Sequence, residues 1–285
     1  MNLSNRGLFM SDPTYALGRS DDEYARLTEQ SNFLRPLTER LFKEAGIAPG
    51  MKILDVGSGV GDVAFLLADL VGRDGRIVGV DMDGAALEKA RKRAQQMQIR
   101  NVHFVHGDIR TAELPVPFDA AVGRLVLLYF ADPVAVLARI ATQVRSNGIV
   151  AFQEMEMDEV AMRATYSDSL LGQVVMTMTI YRTFAAAGVR VNMARELRQS
   201  FVKAGLGEPE LLGEFVVGGG ADFAGYSWVA NTMRSLVPTA SKLGISLEPL
   251  GDLDTLAQRL RSEAANETRD FWSPPYVGAF VRVKS

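Results

Sequence analysis

Residues 53–62, Ile-Leu-Asp-Val-Gly-Ser-Gly-Val-Gly-Asp, constrain the fold of this chain more than any other stretch. An apolar run enters the segment, three glycines follow at alternate positions, and residues 63–68 leave it with helical character. The pattern predicts a strand, a tight turn and a helix. Glycine has no Cβ and lets a ligand approach the backbone, while the N–H groups that begin the helix point towards the same place. We therefore expect a cofactor to lie against the main chain here.

The spacing of the glycines separates two classes of cofactor. Turns that bind dinucleotides follow the pattern G-x-G-x-x-G/A, whereas this chain has G-x-G-x-G, with Asp62 in place of the third glycine of that pattern. Asp55 lies just before the turn, where a carboxylate would repel a pyrophosphate and favour an ammonium or sulfonium group. A positively charged ligand is therefore favoured over a nicotinamide dinucleotide, and a turn without a ligand is the remaining alternative.

The segment Asp55-Val-Gly-Ser-Gly-Val-Gly61 resembles the first motif of the class I S-adenosylmethionine-dependent methyltransferases. The likeness extends over residues 50–156 and is greatest to the ubiquinone, menaquinone and natural-product enzymes. It implies an α/β, Rossmann-like fold with a seven-stranded, mostly parallel sheet, its last strand antiparallel, helices on both faces and helical cap insertions. It also implies that S-adenosylmethionine contacts Asp55, Gly57, Ser58, Gly59 and Gly61.

Two further segments carry the resemblance on the adenosine side. Asp81 follows the second predicted strand, where a carboxylate can accept both ribose hydroxyls of an adenosine. Met82 would pack on the adenine face. The alternatives are a helix N-cap for Asp81 and a core position for Met82. The family's adenine motif, in which an acid accepts the exocyclic amine and the next residue offers its N–H to the ring, is matched by Gly107, Asp108 and Ile109.

The fourth and fifth predicted strands, Ala120–Leu128 and Ile149–Gln153, direct further side chains to the same edge of the sheet. Arg124 lies where the family's chain passes the methionine half of the cofactor, and we expect it to bind there. Its side chain could position a carboxylate, or only its backbone contacts the cofactor. Glu154 is the first candidate for a catalytic base, and Tyr129 is the second. Both are also expected to contact the substrate. Alternatively, Glu154 only forms a hydrogen bond to the N-terminal cover or to the cofactor's amino group.

The rest of the chain is divided by its pattern into segments around this core. We predict an N-terminal helical cover at 1–46, a cofactor-binding core at 47–156 and a helical insertion at 157–190. Residues 191–285 complete the core, with a strand at Glu210–Val217, a terminal strand hairpin and a second helical insertion at 221–266. In the cover, Gln30 is a candidate cofactor contact and Tyr15 a candidate substrate contact. The first insertion contributes Met176 and Tyr181 as substrate contacts, with plain core packing or a homodimer face as alternatives.

Composition excludes several classes of function. The net charge is −3 and no basic stripe is present, which argues against a nucleic-acid partner. The absence of cysteine excludes disulfides, thiolate metal sites and a cysteine nucleophile, and the two histidines predict no metal site. No apolar run reaches the length of a membrane span. The expectation is a cytoplasmic protein, without membrane insertion, that acts on a small molecule.

The resemblance implies methyl transfer to an oxygen, nitrogen or carbon atom of a small, fairly apolar acceptor by in-line displacement. Such an enzyme needs to position the acceptor and exclude water, and it needs no nucleophilic residue of its own. A protein that binds S-adenosylmethionine without transferring methyl groups, as a regulator or in a pericyclase-like role, is the main alternative. A nicotinamide-dependent oxidoreductase is less favoured because of Asp55 and Asp62.

Overall fold

The computed structural model describes Leu17 and residues 21–157, 171–267 and 270–284. A seven-stranded sheet lies at the centre, with the strand order β3-β2-β1-β4-β5-β9-β6. The first five strands pair in parallel, and β9 runs antiparallel between β5 and β6. The strands are β1 (Lys52–Val56), β2 (Arg76–Asp81), β3 (Val102–His106), β4 (Phe118–Arg124), β5 (Val144–Met155), β6 (Glu210–Glu214) and β9 (Tyr276–Arg282). The predicted fold class is confirmed.

Helices connect the strands and cover both faces of the sheet. Side chains alternate along β1, so Ile53 packs with one helical layer and Leu54 with the other. Asp83 and Asp132 cap two of the helices through their carboxylates. The helices are α1 (Asp21–Ala45), α2 (Asp62–Val71), α3 (Gly84–Gln96), α4 (Pro133–Ala141), α5 (Leu171–Ala186), α6 (Met193–Lys203), α7 (Gly225–Lys242) and α8 (Leu256–Glu267).

The fourth strand is shorter than the prediction of Ala120–Leu128. It ends at Arg124, because Leu125 has a left-handed backbone (φ +52°) and a short 3-10 helix follows at Leu127–Tyr129. The backbone N–H groups of Val126 and Leu127 are bonded to Glu154 and not to a neighbouring strand. An apolar run alone could not reveal this turn.

The predicted strand at Glu210–Val217 is also divided in the structure. Its first part, β6, pairs with β9 until Glu214 lies opposite Tyr276, the residue at which β9 begins. The second part is β7 (Val217–Gly218), which pairs with β8 (Phe271–Trp272) in a separate two-stranded sheet. The ladder therefore stops where its partner strand stops.

Helices α1, α5 and α7, from distant parts of the sequence, lie together over the carboxyl edge of the sheet. Helix α7 contacts α1, α5 and α8. Phe33 of α1 stacks on Trp228 of α7, with ring centroids 5.2 Å apart. Within the described parts of the chain, we find no helix with the length and apolar character that crossing a membrane requires.

Candidate active site

A cavity of about 1090 Å³ opens at the carboxyl ends of β1, β2, β4 and β5. Its walls come from the glycine loop (residues 57–61), from the ends of these strands and from helices α1, α5 and α7. The volume lies just above the roughly 300–1,000 Å³ that is typical of a pocket for one ligand. The cavity therefore has room for a cofactor together with a second small molecule.

The glycines of the loop serve two different purposes. Gly57 has φ +70°, and a Cβ at this residue would lie 2.4 Å from Cγ2 of Val126. At Gly61, with φ +90°, a Cβ would lie 2.8 Å from the ring of Phe65. Gly59 has φ +50° and lines the cavity, yet a Cβ there would meet no protein atom within 4 Å. Gly57 and Gly61 thus permit close packing, whereas Gly59 leaves open a space that fits a ligand against the backbone.

Asp81 joins the glycine loop to the end of β2. Its Oδ2 accepts the N–H of Gly59 at 2.8 Å, and its Oδ1 accepts the N–H of Asp83 at 2.8 Å. A carboxylate oxygen can accept more than one hydrogen bond, so Asp81 can also accept hydroxyl groups from the cavity, which it lines. The N-cap of α3 is Asp83, so the alternative interpretation of Asp81 as that cap is wrong.

The residues predicted to surround the adenine are only partly brought together. Met82 lines the cavity and is 55% exposed, which excludes its alternative interpretation as a core residue. Gly107 and Ile109 also line the cavity. The carboxylate of Asp108 instead pairs with the guanidinium of Arg110 at 2.6 Å, and this hydrogen-bonded pairing lowers its pKa. Asp108 is not among the residues that line the cavity.

Asp55 lies behind the glycine loop, outside the cavity wall, while its neighbour Ser58 lines the cavity. The Asp55 side chain is 1% exposed, and neither oxygen reaches a described hydrogen-bond donor in good geometry. Burial raises its pKa from 3.8 to about 8, although Arg124 and the nearby N–H of Ala64 oppose the shift. This location does not support a charged Asp55 at the edge of the ligand, because burial favours the neutral carboxyl group.

The raised pKa predicts a pH-dependent contribution of Asp55 to stability. Between pH 4 and 8 the folded carboxyl group keeps a proton that the unfolded chain has released, so the free energy of unfolding falls as pH rises. In the Asp55→Asn variant this fall should be shallower, by up to about 1.4 kcal/mol per pH unit. Urea unfolding at several pH values measures both slopes. Exposed Asp74→Asn is the control, and parallel slopes for wild type and Asp55→Asn would contradict the prediction.

Glu154 does not lie where a catalytic base is needed. It is fully buried, and its Oε1 accepts the N–H groups of Val126 at 3.0 Å and Leu127 at 2.7 Å. Burial raises its pKa to about 8, against the effect of these backbone hydrogen bonds. Glu154 is also not among the cavity-lining residues. The predicted role as base or substrate contact is therefore replaced by a structural one: Glu154 holds the turn 125–127, whose Val126 packs against Gly57.

Tyr129 lines the cavity beside a buried ion pair on α1. Arg26 donates through Nε and Nη2 to the carboxylate of Glu23, both at 2.7 Å, and through Nη1 to Oε1 of Gln30. Arg26 and Gln30 also line the cavity, and the predicted contact between Gln30 and the cofactor stays a prediction. Burial raises the pKa of Tyr129, so its hydroxyl keeps its proton at neutral pH and cannot act as a base.

Arg124 brings a positive charge to the cavity wall. Its Nη1 lies 3.4 Å from Oγ1 of Thr38, and among the described residues no carboxylate lies within 4 Å of its guanidinium. Burial lowers its pKa, as expected when a charge leaves water. Asp62 and Asp55 favour its charged form from beyond ion-pair distance. Because no described carboxylate pairs with it directly, the guanidinium is suited to the carboxylate of a ligand.

The helical insertions reach the cavity through side chains that sequence analysis missed. Met176 is buried in the core and Tyr181 lies away from the cavity wall, whereas Ile180 and Phe184 of the same helix line it. Tyr15 lies outside the described residues. Helix α7 belongs to the predicted insertion at 221–266, from which no substrate contact was named, and lines the cavity with Trp228, Thr232, Pro238, Thr239 and Lys242.

Comparisons with known proteins agree with this arrangement. A family model described as "Methyltransferase domain" matches residues 47–205. The chain is 32% identical over 140 residues to the aklanonic acid methyltransferase DauC of Streptomyces sp. (strain C5), covering 49% of this chain and 63% of that protein. The chain spans less than two thirds of the length of this relative and of two further curated relatives that it matches.

Solved structures share the fold at low sequence identity. A SAM-dependent methyltransferase from Aquifex aeolicus has a TM-score of 0.53 and 14% identity, over 93% of this chain and 100% of that one. The [4+2]-cyclase SpnF has a TM-score of 0.51 and 19% identity, over 87% of this chain and 81% of that one. Because these identities are low, the two structures support the fold alone.

Proposed function

Because this chain belongs to the methyltransferase domain family, in the class of S-adenosylmethionine-dependent enzymes, we propose that it methylates a small, fairly apolar acceptor. The observation that carries the proposal is the cavity, which joins the glycine loop to an apolar region from α5 and α7. The similarity to an aklanonic acid methyltransferase supports an acceptor of the natural-product kind. The acceptor atom is an oxygen, nitrogen or carbon.

Residues of the described chain fit the cofactor in three parts. Asp81 and the backbone at Gly59 would hold the ribose, since a carboxylate and an open main chain meet there. Met82 and Ile109 would cover the adenine. Arg124 would hold the carboxylate of the methionine part, because no described carboxylate lies within 4 Å of its guanidinium. When bound, the cofactor supplies a methyl group on a sulfonium, which is already a good leaving group.

The chain itself then has to position the acceptor and keep water away from it. Ile180, Phe184 and Trp228 present apolar surface to the cavity, and a dry, shaped wall favours in-line approach of the acceptor. Glu154 is turned away from the cavity towards two backbone amides, and Tyr129 keeps its proton at neutral pH, so neither is suited to remove a proton. We therefore propose that the acceptor reaches its nucleophilic form without a base from these two residues.

A test of this function measures cofactor binding and product release in one series. The wild-type chain should bind S-adenosylmethionine by calorimetry and release S-adenosylhomocysteine with members of a panel of phenols, carboxylic acids and amines. Gly59→Ala places a methyl group in the open space and should weaken cofactor binding at least about tenfold, which corresponds to about 1.4 kcal/mol.

Gly50→Ala is the matched control for this variant. Gly50 also has a left-handed backbone (φ +83°) with no atom within 4 Å of a Cβ, but it lies away from the cavity. Both substitutions carry the same backbone strain, of about 1–2 kcal/mol. Equal affinity in the two variants contradicts the placement of the cofactor. Tight binding without any product release favours the non-methylating alternative.

A further inference from the structure

One face of α7 lines the cavity along most of the length of the helix. Trp228, Thr232, Thr239 and Lys242 all line the cavity and recur at the spacing of a single helix face. Trp228 is buried and stacks on Phe33 of α1, the helix that also supplies Gln30. Lys242 is exposed, at the C-terminal end of α7, about four helical turns from Trp228.

The charges of the cavity wall are unevenly distributed. The acidic residues of the wall are Asp62 at the start of α2, Asp81 at the end of β2 and Asp83 at the N-cap of α3. Of the described side chains that α5 and α7 contribute to the wall, Lys242 alone carries a charge. Within the described ranges no carboxylate lies within 4 Å of its ammonium group. The part of the wall that these two helices build therefore carries one cation that is available to a ligand.

We propose that the acceptor is an elongated apolar molecule with one carboxylate, and that Lys242 binds this carboxylate at the mouth of the cavity. The inference rests on the proposed function and names its substrate class. One ammonium group matches a single negative charge, whereas phosphate groups are commonly held by several donors or by the fork of an arginine. In this proposal the carboxylate anchors the acceptor at Lys242 and is not the group that is methylated.

The expected preference for a carboxylate over an uncharged group is small, because Lys242 is exposed. Ion pairs at exposed sites contribute about 0.2–1 kcal/mol, which corresponds to roughly a 1.4-fold to fivefold change in affinity. Neighbouring Thr239 lies on the same face, one turn before Lys242. Burial of the ligand's apolar chain against the apolar wall contributes the rest of the affinity, and this contribution is the same for charged and uncharged ligands.

Octanoate and octanamide provide a matched pair of probes, since they share a chain and differ in charge. Trp228 lines the cavity and reports their binding by fluorescence, provided that the other tryptophan of the chain is replaced in a Trp272→Phe background. The titrations are carried out with saturating S-adenosylhomocysteine. We expect octanoate to bind about two to five times more tightly than octanamide. Lys242→Met should abolish this ratio, and Lys242→Arg should retain it.

Exposed Lys203, at the end of α6, gives the control for overall charge. Lys203→Met removes the same charge away from the cavity and should leave the ratio unchanged. Equal binding of the two probes by the parent protein, or an unchanged ratio in Lys242→Met, overturns the inference. A failure of the proposed function would give a different result. In that case S-adenosylhomocysteine would not bind in the calorimetric titration that is carried out before the probes are added.

Discussion

Replacement of Asp81 by alanine should weaken the binding of S-adenosylmethionine by about 10²- to 10⁴-fold while the chain stays folded. Asp81 can accept two ribose hydroxyls, and hydrogen bonds to a charged group contribute about 1.5–3 kcal/mol each. The substitution also frees the N–H of Gly59, which Asp81 holds at 2.8 Å in the glycine loop. Calorimetric titration of wild type and variant measures the loss, and thermal unfolding reports whether the fold is retained.

Asp83→Ala is the control for the Asp81 experiment, because it removes a carboxylate two residues away that also lines the cavity. Asp83 caps α3 by accepting the N–H groups of Ala85 and Ala86. Its loss should therefore reduce stability by about 0.5–2 kcal/mol and change cofactor affinity only slightly. Equal losses of affinity in the two variants would show that general charge, and not hydrogen bonding by Asp81, attracts the cofactor.

The Glu154→Ala variant should be less stable than wild type by about 2–6 kcal/mol. Its substitution leaves the buried N–H groups of Val126 and Leu127 without their acceptor, at a cost of about 1–3 kcal/mol each. Because Val126 packs on Gly57, cofactor affinity should fall as well. Urea unfolding at pH 7 gives the change in the free energy of unfolding, and calorimetry gives the affinity.

Glu154→Gln distinguishes this structural role from catalysis. With a pKa of about 8, Glu154 is mostly protonated at pH 7, so a glutamine resembles it closely and its amide oxygen can accept both N–H groups. Stability, affinity and turnover should then stay near the wild-type values. A general base contributes about 10²- to 10⁴-fold to the rate. A fall in turnover of that size, with stability and affinity intact, would return Glu154 to the role of base.

The parts of this molecule that follow local rules could be predicted from the sequence. The strand, turn and helix around Gly57–Gly61 are encoded by neighbouring residues, and Asp81 lies at the end of a strand whose apolar run is plain. The sheet and its antiparallel β9 agree with the family resemblance. In each of these places, propensity, hydrophobic pattern and turn chemistry indicate the same structure.

Features that depend on contacts between distant residues could not be predicted in the same way. The carboxylate of Glu154 was expected at the cavity because its strand ends there, yet it turns towards amides that are 27 and 28 residues earlier in the chain. The face of α7 that lines the cavity is defined by its packing on α1 and α5, which no local pattern of α7 reveals. Asp108 matches the family's adenine motif in sequence, but its carboxylate forms an ion pair with Arg110.

The position of β9 has a consequence for the synthesis of this chain. Residues 276–282 fill the space between β5 and β6, so both of those strands have an open edge until β9 emerges from the ribosome. Open strand edges are sites at which chains associate wrongly. The parallel half of the sheet can assemble during translation, whereas its antiparallel half is completed only after β9 has been made. The nascent chain therefore passes through a stage in which its backbone at β5 is open to chaperones or to other chains.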